Sequence, residues 1–167
     1  AEVEKLHFWS WGYGYLYTIK TSLWVDNKKV DEVSTRTGFR KTRFGDGKIW
    51  LNDRVLQMKG FAQRTSNEWP GVGMSIPAWL SDYSNGLMTA CNANLVRWMH
   101  VTPWKQDVES CDRVGLIQAM PAGDAEKDCV GRQWEQRKEL MRDAIIYNRN
   151  NPSILFYESG NESISCE

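Results

Sequence analysis

Beyond residue 75 the chain alternates short apolar runs with stretches of helical spacing, and that alternation constrains the fold more than any other feature. Ile76-Pro77 to Cys91 reads as a helix with proline near its start, where helices tolerate it. Asn94-Leu95-Val96-Arg97-Trp98-Met99-His100 is the next strand. Lys105 to Val114 places Val108, Cys111 and Val114 at helical spacing, and Gly115 stops it. Leu116 to Met120 is another strand, followed by a polar loop from Pro121 to Gly131. Trp134, Leu140, Met141, Ala144 and Ile145 mark one face of an amphipathic helix that ends at Asn148-Arg149-Asn150-Asn151-Pro152. Ile154 to Tyr157 is the last strand. Strands separated by helices imply a parallel sheet.

No Gly-x-Gly-x-x-Gly follows the first strand and no phosphate-cradling loop is present, which argues against a nucleotide-binding doubly wound fold. A barrel remains. With a strand at Lys59-Gly60-Phe61-Ala62, residues 45–167 supply four strands, about half of an eight-stranded barrel of roughly 250 residues. Upstream the pattern differs. Residues 13–25 are rich in β-branched and aromatic side chains, Asp26 to Lys29 is a charged turn, and Val30 to Phe44 is a second extended stretch. These read as closing strands of an antiparallel β-domain whose partners lie upstream of this chain, since so few strands cannot bury their own face. Gly45-Asp46-Gly47 is a turn, and Ile49 to Leu51 and Val55 to Met58 flank a short hairpin. The expected organisation is 1–44 as the end of a β-sandwich and 45–167 as the first half of a TIM barrel, an α/β fold.

Composition narrows function by exclusion. Formal net charge is zero, with 21 basic and 21 acidic residues, so nothing suggests capture of nucleic acid or of an anionic membrane. No apolar run approaches the roughly 18 residues of a membrane span. The N-terminal Ala1-Glu2-Val3-Glu4-Lys5 lacks signal-peptide architecture, as a mature or internal start also would. Four cysteines without CxxC spacing and two histidines give no metal signature, and they suit buried thiols better than a disulfide framework. No cofactor is called for. Nine tryptophans are the one excess; most should pack in cores, with one or two lining a sugar-stacking cleft.

The chemistry-bearing candidate is Gly160-Asn161-Glu162, just past the last strand. Barrel enzymes present catalytic side chains at the C-terminal ends of strands, and a carboxylate there suits a general acid/base. Glycosidases need a second carboxylate, and no residue after Glu162 offers a strand-borne one. Glu158 does not qualify, because four residues along a strand is roughly 13 Å, well beyond the roughly 5–5.5 Å of a retaining pair. Arg97 and His100 stand three apart, on opposite faces unless the strand ends between them.

Six motifs in order carry a resemblance. Gly38-Phe39-Arg40, Leu51-Asn52 with Lys59-Gly60, Asn94 to His100, Cys111-Asp112-Arg113-Val114-Gly115-Leu116, Arg149-Asn150-Asn151-Pro152-Ser153 and Gly160-Asn161-Glu162 resemble glycoside hydrolase family 2 over about residues 6–165. That family includes β-galactosidases, β-glucuronidases and β-mannosidases. The resemblance implies a jelly-roll domain, an immunoglobulin-like sandwich and a catalytic barrel, of which this chain would hold the end of the sandwich and strands one to four. It implies retaining double-displacement hydrolysis of terminal β-glycosides, with Glu162 as acid/base and a nucleophile outside this chain. Asn161 would meet the sugar 2-hydroxyl, Arg97 would lie under the nucleophile, and His100 would reach the substrate pocket. Arg64, Asn67, Glu68 and Trp69, on the loop after the first barrel strand, are weaker candidates for bordering the sugar.

Departures are Lys59-Gly60 for Arg-Gly, Trp9-Ser10-Trp11 for Trp-Ser-Pro, and Gln118-Ala119-Met120 where an acidic residue often stands. A single asparagine before Glu162 points away from β-mannosidases and toward β-galactosidase or β-glucuronidase; a β-galactosidase is the leading expectation, with β-glucuronidase as the alternative. A non-catalytic carbohydrate-binding protein is the rival from another class. The implied partners are a glycoside or oligosaccharide and the remainder of the polypeptide, with a homo-oligomer also compatible. A periplasmic or secreted polysaccharide-degrading enzyme fits the resemblance better than a cytoplasmic one.

Overall fold

The computed structural model describes residues 3–64, 71–72, 76–123 and 129–162. Strands β1 (Tyr17–Val25) and β2 (Lys28–Thr37) form an antiparallel ribbon around the Asp26-Asn27 turn, both residues of which have positive φ. Leu23, Trp24, Val30 and Val33 lie exposed on this ribbon. The extended stretch expected to run through Phe44 breaks after Thr37. Gly38 sits too close to Pro152 and Trp9 for a side chain: an added Cβ would stand 2.8 Å from the Pro152 ring. The chain then resumes as β3 (Thr42–Gly45), which pairs with β4 (Lys48–Leu51), and β4 pairs with β5 (Arg54–Val55). The expected hairpin is therefore the second half of a three-stranded sheet.

Four parallel strands follow in sequential order: β6 (Gly60–Arg64), β7 (Leu95–Met99), β8 (Ile117–Pro121) and β9 (Ile154–Glu158). The crossovers carry helices α1 (Ala78–Ala90), α2 (Lys105–Val114) and α3 (Arg132–Asn148). This is the first half of a (β/α)8 barrel. Between β8 and β9 the register shifts: Gln118 pairs with Ile154, but Ala119 pairs with Phe156, leaving Leu155 as an extra residue. Helix α2 ends where Gly115 takes a left-handed conformation, φ 73°, and its N–H returns to the Cys111 carbonyl.

The outward faces of the strands pack on the helices. Val96 and Trp98 join Cys111 and Leu116, while Met120 and Ile154 join Val108 and Ala144. The Trp98 indole donates to Gln118 Oε1 at 2.8 Å, and Gln118 Nε2 donates to the Ser153 hydroxyl at 2.6 Å, so the buried Gln118 is satisfied. Helices α1 and α2 meet through polar contacts, Ser81 Oγ to Asp107 Oδ1 at 2.7 Å and Asn85 Nδ2 to Ser110 Oγ at 3.0 Å. Helix α3 departs from its amphipathic pattern. It buries Arg137, Ala144 and Asn148, whereas Leu140, Ile145 and Ile146 stay exposed, because no neighbouring element covers that flank among the described residues.

The starts of the parallel strands are plugged from upstream. Trp9, Leu51, Leu56 and Ile117 form one buried cluster. Motif residues tie this end together through backbone groups. Asn52 donates to the Trp9 carbonyl, and Asn94 accepts from the Lys59 N–H and donates to the Gln57 carbonyl. Buried Asp112 accepts from the Asn151 amide and from the Ser153 N–H and hydroxyl. Two motifs some forty residues apart thus meet at one carboxylate. This plug leaves the opposite end, where the strands finish, open for a site.

Candidate active site

At the C-terminal ends of the strands the inward face carries Arg97 from β7 and Glu158 from β9. Arg97 pairs directly with Ala119 across β7–β8, and residues directly opposite share a face. The intervening strand β8 presents Ile117, Ala119 and Pro121 inward, none with a polar side chain. Arg97 reaches across this strand. Its Nε lies 3.0 and 2.9 Å from the two Glu158 oxygens, and its Nη2 lies 2.8 Å from Oε2. The same Nη2 donates to Asn161 Oδ1 at 3.1 Å. Fork-shaped pairing of this kind fixes geometry as well as charge.

Glu162 follows Asn161 directly, exposed, four residues past the end of β9. Its φ is 53°, a left-handed conformation uncommon for a residue with a Cβ. Conformations of that kind persist where surrounding structure imposes them and cluster at functional sites. Strand β7 stops at Met99, so the alternation that would have put Arg97 and His100 on opposite faces ends before His100. His100 is half-buried, and its Nδ1 has no hydrogen-bond partner among the described residues. Arg64 ends β6, paired with Met99 and exposed. Asn67, Glu68 and Trp69 lie outside the described residues. Of the clefts the tryptophans line, Trp11 borders one beside Val55 and Asn94, and Trp134 borders another of about 300 Å³ beside Tyr157; neither includes Arg97 or Asn161.

Of the four expected site residues, Arg97 and Asn161 are in contact, Glu162 adjoins them in sequence, and His100 stands one residue past the strand that carries Arg97. Sequence reasoning weighed Glu158 only as a nucleophile and so missed its partnership with Arg97. A signal existed: an arginine facing a barrel interior calls for a carboxylate, and Glu158 is the one carboxylate on the four parallel strands. Among the described residues no group of three or more His, Cys, Asp or Glu could hold a metal ion.

Residues 1–40 match the family described as glycosyl hydrolases family 2, and residues 42–167 match the TIM barrel domain of that family. A β-glucuronidase of Formosa agariphila is 31% identical over 162 residues, 96% of this chain and 16% of the relative. A β-galactosidase of Thermoanaerobacter pseudethanolicus is 27% identical over 160 residues, 89% of this chain and 20% of the relative. A solved structure of a family 2 β-glucuronidase superposes with a TM-score of 0.87 at 31% identity, covering 95% of this chain and 17% of that one. The chain thus spans about a fifth or less of the length of these proteins.

Proposed function

Since the chain belongs to glycosyl hydrolase family 2, we propose that it is the acid/base half of the catalytic barrel of a retaining β-glycosidase. In this reading residues 1–44 close an immunoglobulin-like sandwich, and residues 45–167 open the barrel. The nucleophile is supplied by a later strand of a longer polypeptide. The observation that carries the reading is the placement of Asn161 and Glu162 at the strand ends, with the Asn161 amide tethered to Arg97 at 3.1 Å.

Mechanistically, Glu162 protonates the departing glycosidic oxygen, then accepts a proton from the water that releases the sugar. Asn161 hydrogen-bonds the 2-hydroxyl, a contact that strengthens as the transition state forms. His100 contributes a ring nitrogen to the pocket rim, and Arg97 organises the floor. The second carboxylate approaches from the uncovered side of the half-barrel.

Two sugars fit. A galactoside agrees with Arg97 already neutralised by Glu158, which leaves that cation unsuited to a uronate. A glucuronide is favoured by the name of the 31% identical relative. Turnover of the two nitrophenyl glycosides by the full-length protein separates them.

The reading itself is tested by Glu162→Gln in the full-length protein. Acid assistance contributes about 10² to 10⁴ in rate, so the loss should be large on alkyl glycosides and small on activated aryl glycosides. An equal loss on both would remove Glu162 from the acid role.

A further inference from the structure

We infer that Glu158 is a positioning residue: it clamps the Arg97 guanidinium so that Arg97 in turn fixes the Asn161 amide and the segment bearing Glu162. This rests on the reading of Asn161 and Glu162 given above and adds a member that the motif does not name.

The geometry distinguishes this from an ion pair that merely stabilises the fold. Arg97 spends Nε and Nη2 on Glu158, at 2.8 to 3.0 Å, and the same Nη2 continues to Asn161. Glu158 is the last residue of β9, and beyond it the chain has left the parallel ladder. Residues 159–162 therefore take no register from strand pairing, and the Asn161–Arg97 hydrogen bond ties them to the sheet. Burial differs along the chain of contacts: the Glu158 side chain is 17% exposed and that of Arg97 37%, so the anchor lies deeper than the group it holds. With the Asn161 oxygen turned to the guanidinium, the orientation of the amide is set before substrate arrives. Preorganisation of this kind lowers the cost of making the sugar contact in the transition state. Small Ala119 lies between the two charged residues and leaves the space the guanidinium crosses.

The test uses the full-length protein and two substrates, a nitrophenyl β-glycoside and its 2-deoxy counterpart. In the unmodified protein the ratio of their kcat/KM values measures the contact with the 2-hydroxyl. Asn161→Ala should collapse that ratio. Glu158→Ala should lower it about tenfold, the scale of one disturbed transition-state contact, and should add little when combined with Asn161→Ala. Glu158→Gln keeps the size and one acceptor, guards against a failure to fold, and should give an intermediate ratio. Arg97→Lys, which cannot form the fork, should resemble Glu158→Ala. A ratio unchanged in Glu158→Ala and Glu158→Gln, with both substrates slowed equally, would reduce Glu158 to a structural role and overturn the inference while leaving the glycosidase reading intact. An unmodified protein that hydrolyses neither substrate would overturn both.

Discussion

The Trp9 indole N–H donates to the main-chain carbonyl of Asp112 at 2.8 Å, joining the segment before β1 to the end of α2. Around this bond the two parts of the chain interlock. Thr37 Oγ1 donates to the Asn150 carbonyl at 2.7 Å, and Arg40 Nη2 donates to the Ile154 carbonyl at 2.6 Å. Burial pushes the Arg40 pKa down, with Tyr157 and Asp112 opposing that shift. The starts of the barrel strands are thus held by residues that precede the barrel.

Trp9 is 1% exposed and belongs to the buried cluster with Leu51, Leu56 and Ile117. Trp9→Ala should destabilise the full-length protein by about 3–5 kcal/mol, the range for removing a buried tryptophan. Trp9→Phe should cost less, about 1–3 kcal/mol, chiefly from the stranded Asp112 carbonyl. Denaturant midpoints of the two variants check the order; a Trp9→Phe variant as stable as the unmodified protein would mean the indole hydrogen bond contributes nothing.

Asp112 and Asp107 govern an acid-side dependence. Burial raises the carboxyl pKa of both above the ordinary 3.8; hydrogen bonds from Ser153 and Asn151 to Asp112, and from Ser81 to Asp107, oppose the shift without cancelling it. Each group therefore holds its proton to higher pH when folded than when unfolded. Its contribution to stability is full below the unfolded value and is lost as pH rises through the folded one. Stability measured upward from about pH 4 should show a falling component from this pair, and Asp112→Asn should flatten it. A slope unaltered by Asp112→Asn would remove Asp112 from the effect.

Gly14 has no room for a methyl group. An added Cβ would lie 2.1 Å from the Arg113 carbonyl oxygen and 2.5 Å from that of Asp112, both backbone atoms. Gly14→Ala must move the main chain and should cost about 1–3 kcal/mol, read as a lowered melting temperature. An unchanged melting temperature would contradict the close approach.

Among the described residues, strands β6 and β9 each leave one edge of the four-stranded sheet unpaired. Both edge strands carry an exposed apolar side chain, Phe61 on β6 and Tyr157 on β9, and helices α1 and α3 expose more, Trp79 and Leu87 on the first and Ile145 and Ile146 on the second. Unpaired apolar edges recruit other chains. Residues 1–167 produced alone should self-associate in sedimentation velocity, melt without a cooperative transition, and hydrolyse no β-glycoside. A monodisperse monomer with a sharp melt would refute this.

Much of the architecture was legible because it is periodic. The helical spacing of Val108, Cys111 and Val114, and the Gly115 stop, fix α2 within the chain itself. The same local logic overextended the second ribbon strand to Phe44, since the tight approach of Gly38 to Pro152 depends on a residue more than a hundred positions away. It also marked Leu140 and Ile145 as a buried face, although burial depends on what packs alongside and not on period alone. The site divided in a similar way. Asn161 and Glu162 were readable as a motif at a strand end, whereas the Arg97–Glu158 pair joins strands 61 residues apart. The Asp112 contacts with Asn151 and Ser153 were hidden for the same reason, though both halves stood out as motifs.

Leu155, the extra residue in β9, sets the phase of everything after it. Were Ala119 paired with Leu155 in an unbroken register, Pro121 would oppose Tyr157, and alternation would turn Glu158 outward toward the helices. Leaving Leu155 unpaired instead sends the phenol to the helix side and the carboxylate to Arg97, as bulges beside active sites often do. Straightening the bulge with Leu155 retained would change no charged residue and no motif, yet it would exchange an acid for a phenol at the barrel's centre. The unpaired state of Leu155 is thus as strict a requirement on this chain as the identity of the residues around it.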